Sequence, residues 1–246
     1  VPSGVTSPNT TGVFEGLPAG TYTITVDQVN GGCPAVTKTQ VITEEPKYRA
    51  QYEVKNVECN GMNNGSFKVK NINPTTKLDG SVRKFTYAIT PHLDRFLDND
   101  GKFEGLAPGK YYVIMQDENG CRPEILDEGG TPTGSDIFEF TITEPEILSV
   151  TVNDDATVHE SCFGANDGKT KLRIYGGTAF TVPPALSKYK YSKDGGATWE
   201  DYNESQGIEN LAAGDYTFMV KDANGCQATA AQMTIKSGSK VSLHLN

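Results

Sequence analysis

The sequence is poor in positive charge. Its 246 residues carry 22 lysines and arginines against 31 aspartates and glutamates, for a net charge of -9. A nucleic-acid partner is excluded, because phosphate binding needs a basic face. No apolar run approaches the roughly 20 residues that a membrane helix requires, so no direct membrane insertion is expected. No charged and then apolar leader is present, and Val1 opens in mid-pattern, so the expectation is a piece of a longer protein. The three histidines, His92, His159 and His244, are scattered without the spacing of a metalloprotease helix. There is no Gly-x-Ser-x-Gly elbow, phosphate loop or dinucleotide fingerprint. Paired carboxylates for glycoside hydrolysis would have to be picked from 31 acids that offer many accidental pairs. Neither catalysis nor a cofactor is expected. No stretch shows a convincing helical period.

What the chain does have is a block that occurs three times. It runs from Phe14 to Asp27, from Phe103 to Asp117 and from Ile208 to Asp222. The block is followed by Gly32-Cys33, Asn119-Gly120-Cys121 and Asn224-Gly225-Cys226. Within it Gly20, Gly109 and Gly214 stand 89 and then 105 residues apart. That period is too long for a solenoid unit and suits whole domains in tandem. Residues 1–46 therefore read as the C-terminal half of a repeat, 47–146 as a complete repeat and 147–246 as another. The joints are Thr43-Glu-Glu-Pro46 and Thr143-Glu-Pro145. Proline fixes one dihedral and holds its predecessor extended, so these joints should be short and stiff, giving an elongated molecule.

Five cysteines follow the same period. Cys59 and Cys162 open Cys-x-Gly loops 103 residues apart, and Cys33, Cys121 and Cys226 close the repeated block. The repeat logic pairs Cys59 with Cys121 and Cys162 with Cys226, and leaves Cys33 unpaired, its partner lying before Val1. Each such bridge would close a loop of over 60 residues and contribute roughly 4 kcal/mol in the chain-entropy treatment. Disulfides at repeat spacing imply an oxidising compartment outside the cytoplasm.

Strand signals recur about every ten residues, with turn residues between. In Tyr22-Thr-Ile-Thr-Val26 apolar positions alternate with threonine, and Tyr216, Phe218 and Val220 repeat the pattern. Tyr111 to Met115 is apolar on both faces, as a central strand should be. Leu-x-x-Gly-x-Tyr occurs at Leu17–Tyr22, Leu106–Tyr111 and Leu211–Tyr216. It resembles the tyrosine corner of immunoglobulin-like sandwiches, in which the hydroxyl bonds back to the preceding loop. The fold expected is all-β: tandem immunoglobulin-like antiparallel β-sandwich domains, disulfide-closed. The half-repeat has only two strands, Thr21–Asp27 and one around Thr37–Thr43. Alone these cannot bury both faces, so Tyr22, Ile24 and Val26 should be left on a sticky edge.

The combined pattern of Cys-x-Gly-x-Asn-Asp-Gly, a Tyr-x-Tyr-Ser strand, an Asp-Gly-Gly turn, Leu-x-x-Gly-x-Tyr, Asp-x-Asn-Gly-Cys and Glu-Pro resembles the SprB repeat of large surface adhesins in gliding bacteria. The third repeat carries it at Cys162, Gly164, Asn166, Asp167, Gly168, Gly176, Gly177, Tyr189, Tyr191, Ser192, Gly214, Tyr216, Asp222, Asn224, Gly225 and Cys226. The second carries it at Cys59, Gly61, Gly65, Gly109, Tyr111, Asp117, Asn119, Gly120 and Cys121, and departs from it in the middle. The resemblance implies a secreted protein of the cell surface, associated with the outer membrane, exported by the type IX system and carried by the gliding motor. Its partners would be neighbouring repeats of the same chain and surface polysaccharide or other cell-surface proteins.

Three further features are candidate sites. Ser192, Asp194, Gly196, Thr198 and Trp199 fit the Asp-box pattern of sialidases, where it forms a hairpin turn capped by the aspartate and lies outside the catalytic apparatus. The arginine cluster and tyrosine nucleophile of such an enzyme do not accompany it. Asp94, Asp98 and Asp100 cluster before Gly101, and Asn63-Asn64-Gly65 and Asn166-Asp167-Gly168 recur after the first cysteines. Calcium needs six to eight oxygens, which these loops do not supply by spacing, so turn chemistry is the simpler explanation. Tyr175, Tyr202 and Trp199 could form an aromatic platform for carbohydrate. Two functions are then in competition: a stalk segment of a surface adhesin, and a carbohydrate-binding module array. Coplanar exposed rings would favour the second.

Overall fold

The computed structural model describes residues 10–28, 31–181, 187–230 and 232–243, and contains no helix among them. A first hairpin, β1 (Gly20–Val26) and β2 (Val36–Ile42), forms a two-stranded sheet of its own. Then come β3 (Arg49–Lys55), β4 (Gly65–Asn73), β5 (Phe85–Ile89), β6 (His92–Leu97), β7 (Lys102–Leu106), β8 (Gly109–Asp117), β9 (Glu124–Ile125) and β10 (Ile137–Ile142). They make two four-stranded sheets, β7-β4-β3-β9 and β10-β8-β5-β6. The chain lays β3 and β4 in one sheet, crosses for β5 and β6, returns for β7 and crosses again for β8 and β10. That alternation is the immunoglobulin-type sandwich. The apolar run in β8 has the central place its two-faced pattern demands, between β10 and β5.

The second sandwich repeats the plan in shorter pieces: β11 (Ser149–Val158), β12 (Gly168–Tyr175), β13 (Lys190–Ser192), β14 (Glu200–Asp201), β15 (Ile208–Leu211), β16 (Gly214–Tyr216), β17 (Met219–Lys221), β18 (Gln227–Thr229) and β19 (Met233–Ile235). Its sheets run β11-β12-β15, β14-β13-β17-β18 and β16-β19. The single strand β8 of the first sandwich corresponds to β16 and β17 of the second.

Each sandwich has its own core, as period-2 patterning on facing sheets requires. The first is rich in phenylalanine. Phe67 stacks on Phe140 with ring centroids 4.5 Å apart, and meets Phe138 edge-on at 5.5 Å. The second uses Tyr191, Tyr202, Ile208, Leu211, Phe218 and Ile235. The two cores share the glycine that opens their second strand. A Cβ at Gly65 would sit 2.7 Å from Ile142 Cγ2 and 2.9 Å from the Leu106 carbonyl oxygen. At Gly168 it would sit 2.7 Å from the Leu211 carbonyl oxygen and 2.8 Å from Ile235 Cγ2. The glycine of Asn-Asn-Gly and Asn-Asp-Gly is thus needed for close approach of the last strand.

The hairpin β1–β2 has the register of the later repeats. Gly20 faces Ile42, as Gly109 faces Ile142 and Gly214 faces Ile235. It contributes nothing to either buried core, and Val26 is 68% exposed.

Candidate functional site

The tyrosine corner is present at all three expected positions. The hydroxyls of Tyr22, Tyr111 and Tyr216 donate to the carbonyl oxygens of Pro18, Ala107 and Ala212, at 2.8, 3.0 and 3.0 Å. Each bond spans four residues and pins the turn that leads into the following strand, β1, β8 or β16.

The sulfur pairing expected from the repeat is corrected. Cys59 is bonded to Cys226, with Cα atoms 5.7 Å apart and a sequence separation of 167, while Cys33, Cys121 and Cys162 are free and exposed. Neither Cys59–Cys121 nor Cys162–Cys226 forms. The reason is strand direction. Cys59 follows β3, at the pole where β10 ends, and Val57 N–H donates to the Thr143 carbonyl there. Cys121 follows β8, at the opposite pole, where the Tyr48 hydroxyl donates to its carbonyl at 2.6 Å. The nine residues of β8 separate these poles by about 27 Å, far beyond the roughly 7 Å that a disulfide tolerates between Cα atoms. The second cysteine turn of one sandwich instead meets the first cysteine loop of the sandwich before it.

The joint is built from two recurring loops. In the first, the Met62 amide donates to the Cys59 carbonyl across Gly61, whose φ is +78°. The Glu58 amide donates to Asn64 Oδ1 at 3.1 Å. In the second sandwich the Ala165 amide donates to the Cys162 carbonyl, and the Ser161 amide to Asp167 Oδ1 at 3.0 Å. Asn64 and Asp167 act as turn-closing acceptors. In the other loop, Asp222 Oδ1 accepts from the amides of Asn224 and Cys226, at 3.0 and 2.9 Å. Asp117 Oδ1 does the same for Asn119 and Cys121, at 2.9 Å each. The aspartate of Asp-x-Asn-Gly-Cys therefore shapes the backbone that presents the thiol.

Across the joint, Asn224 Nδ2 donates to the Glu58 carbonyl at 2.8 Å, next to the sulfur bridge. Asn60 Nδ2 donates to the Pro145 carbonyl, and the Gly61 amide donates to Glu144 Oε2 at 2.8 Å. The Glu-Pro linker is thereby strapped to the cysteine loop. A groove of about 420 Å³ remains between Lys55, Glu58, Glu144, Thr178 and Asn224. The Lys55 ammonium bonded to Glu58 at 2.6 Å holds that carboxyl below the usual range. The hairpin meets the first sandwich differently. Buried Arg83 joins Asp117 at 2.9 Å, Glu45 at 3.0 Å and the Pro46 carbonyl at 3.1 Å.

The Asp-box pattern forms the expected turn. The Ser192 hydroxyl donates to Asp194 Oδ1 at 2.6 Å and accepts from the Gly196 amide at 2.9 Å, while the Thr198 amide donates to Asp194 Oδ1 at 2.9 Å. The Ser192 and Thr198 hydrogen bonds hold the Asp194 carboxyl well below the ordinary carboxylate range. Trp199 lies over Gly196, and the Lys221 ammonium sits 4.3 Å from its ring centroid.

Two other candidates are not assembled. Among the described residues no three metal-ligating side chains come together. Asp94 lies on β6, and Asp98 and Asp100 follow it, all three exposed. His244 lies outside the described residues, and His159 Nδ1 accepts from the Lys236 amide. Tyr202 is not a platform ring. It is 2% exposed, and its hydroxyl donates to the Leu172 carbonyl at 2.8 Å and accepts from the Leu172 amide at 2.7 Å. Burial pushes its phenol up. Tyr175, 62% exposed, is left without that partner.

No family model and no curated protein matches the chain. Among solved structures it is similar to a C-terminal 282-residue fragment of intimin in complex with the intimin-binding domain of its translocated receptor. The identity is 18% over 80% of this chain, with a TM-score of 0.30. It is also similar to three N-terminal domains of the bacteriophage RB49 outer capsid protein Hoc, at 10% identity over 92% of this chain and 80% of that one, TM-score 0.35. A third is the ectodomain of mouse nectin-like molecule 4, at 11% identity over 85% and 75%, TM-score 0.25. This chain spans 64% of the intimin fragment.

Proposed function

We propose that this chain is a stalk segment of a secreted cell-surface adhesin, of the SprB-repeat kind that its motifs resemble. The observation that carries the reading is the sulfur bridge between Cys59 and Cys226, which joins two sandwiches across their joint. Such a bond adds nothing to either core. It fixes one sandwich against the next and gives tension a covalent route around the folded cores. A spacer that must carry load at a distance needs both properties. Disulfides persist in oxidising surroundings, which supports a place outside the cytoplasm. The reading is non-enzymatic, and it assigns adhesion contacts with surface polysaccharide or other cell-surface proteins to parts of the assembly that the stalk presents.

Solution scattering tests it. A compact chain of 246 residues has a radius of gyration of about 18 Å. The stalk reading expects a clearly larger value that is unchanged by dilution. A value at the compact limit would overturn it.

A further inference from the structure

The joint between the sandwiches uses one cysteine from each kind of loop: the outgoing Cys59 of a Cys-x-Gly loop, and the incoming Cys226 of an Asp-x-Asn-Gly-Cys turn. Both loops occur again in the molecule with the same hydrogen bonds and a free thiol. The Cys162 loop repeats the Cys59 loop, with Gly164 at φ +78° where Gly61 has +78°. The Cys121 turn repeats the Cys226 turn: Asp117 N–H donates to the Cys121 carbonyl as Asp222 N–H does to that of Cys226. The free loops lie at the poles that face away from the formed joint. At the repeat period, a matching cysteine one repeat on from Cys226 would have a number above 246, and one repeat back from Cys59 a number below 1. Beside Cys162, the position of Asn60 is taken by Phe163, which is 65% exposed. An apolar ring next to an exposed thiol marks that pole as a surface built to be covered.

We infer that Cys162 is the outgoing thiol and Cys121 the incoming thiol of the same inter-repeat bridge, so that each joint of the array is closed by a disulfide running from one repeat to the next. Cys33, at the tip of the hairpin β1–β2, is the third incoming thiol, because that hairpin has the register of the strands that carry Cys121 and Cys226. The occupant of the Cys162 pole is a repeat of this same kind. The inference rests on the stalk reading and adds its covalent connectivity.

The chemistry needs a disulfide oxidant, for which oxidised glutathione is the simple representative. The Cys162 thiol loses its proton, and the thiolate attacks one glutathione sulfur and releases the first glutathione thiolate. The incoming cysteine thiolate then attacks the Cys162 sulfur of the mixed disulfide and releases the second. One disulfide is consumed and one formed. Two cysteine thiols are oxidised, and two glutathione molecules carry away the two electrons and two protons.

A second copy of this chain is the available partner for a test. Three variants of the 246-residue chain keep one open thiol each: Cys33→Ser with Cys121→Ser leaves Cys162; Cys121→Ser with Cys162→Ser leaves Cys33; Cys33→Ser with Cys162→Ser leaves Cys121. Each retains the Cys59–Cys226 bridge, so folding is not at stake, and non-reducing peptide mapping confirms that bridge. Incubated with oxidised glutathione, the Cys162 variant mixed with the Cys33 or Cys121 variant should give disulfide-linked dimers at least ten times more abundant than those of any variant alone. Equal yields in mixed and single incubations, or glutathione adducts without dimers, would overturn the inference. Neither result bears on the elongated shape that scattering tests, so failure of the bridge is distinguishable from failure of the stalk reading.

Discussion

The two joints of the molecule place the same aspartate in the same turn and then use it differently. Asp117 and Asp222 each turn one carboxylate oxygen to the amides of an Asn-Gly-Cys turn. At the second joint the other oxygen accepts from the Thr178 amide at 2.7 Å, and the joint is closed by sulfur. At the first joint it meets the Arg83 guanidinium, which reaches on to Glu45 and Pro46 and lies over the Tyr48 ring at 5.4 Å. Arg83 Nε has no hydrogen-bond partner among the described residues. One joint is thus closed by a covalent bond and hydrogen bonds between side chains and backbone, the other by a buried charge that spans it. A covalent joint carries load without depending on pH or salt. A buried ion pair costs several kcal/mol of desolvation per ion, and holds only while both partners are present.

The largest expected effect lies at the sulfur bridge. In the oxidised chain, tension applied at the two ends passes from Cys59 to Cys226 through sulfur, and the 167-residue separation is withheld from extension. Reduction, or Cys59→Ser, should add about 550–600 Å of contour length in single-molecule pulling. The bridge also constrains the unfolded chain by about 5 kcal/mol in the chain-entropy treatment. Equal contour lengths for oxidised and reduced chains would remove the distinction between the joints.

Next comes the aspartate itself. Asp117→Ala leaves the Arg83 guanidinium buried without its closest counter-charge and should cost the first sandwich about 3–5 kcal/mol in denaturant unfolding. Asp222→Ala strands only backbone donors, and those of Asn224 and Cys226 are near enough to the surface for water to take them. The expected cost is about 1–3 kcal/mol. Equal costs would mean that Arg83 contributes nothing specific. The tyrosine corners sharpen the comparison from the other side. Tyr111→Phe and Tyr216→Phe each remove one hydrogen bond and should cost about 1 kcal/mol in their own sandwich. Tyr22→Phe should leave both sandwiches at wild-type stability, because the hairpin joins neither core.

Much of this was legible in the sequence, for physical reasons. Alternation in Tyr22–Val26 and the two-faced run at Tyr111–Met115 report burial directly, so strands and their central or edge places follow from pattern. Leu-x-x-Gly-x-Tyr works as a signal because its hydrogen bond is local. The Asp-box turn around Asp194 is local as well. The sulfur pairing was not legible from spacing, since bridges within a repeat and bridges between successive repeats keep the same period. A signal did exist in strand direction: Cys121 follows the strand that begins at Gly109 and ends at Asp117, so it cannot return to the pole of Cys59. Tyr202 reads as a surface ring beside a turn because its neighbours are polar. Its burial depends on Leu172, thirty residues away. The Arg83 clamp escaped notice for the same reason, since Arg83, Asp117 and Glu45 come from three separate segments.

The smallest effect distinguishes the two cysteine turns at a single position. Glu118 stands in the first turn where Ala223 stands in the second. Its carboxylate is bound by the Lys77 ammonium, and it also accepts from the Lys84 amide at 3.0 Å. The Lys77 hydrogen bond, with help from the backbone, brings the Glu118 pKa down to about 2 from its ordinary 4.5. A carboxyl whose folded pKa is depressed stabilises the fold fully above its unfolded value and loses that contribution as pH falls towards the folded one. The first sandwich should therefore lose part of its stability between about pH 4.5 and pH 2, at a turn where Ala223 gives the second sandwich no titrating group. Because Glu118 lies at the surface, the contribution is screened and should weaken as salt is added. Carboxyl chemical shifts followed by NMR from pH 6 to pH 1.5 should place the Glu118 midpoint near pH 2. Glu118→Ala, which copies Ala223, should remove this part of the acid dependence while leaving the Arg83–Asp117 pair in place. A Glu118 midpoint at the ordinary value would mean that Lys77 does not hold it in solution, and the turns would then differ only in Arg83.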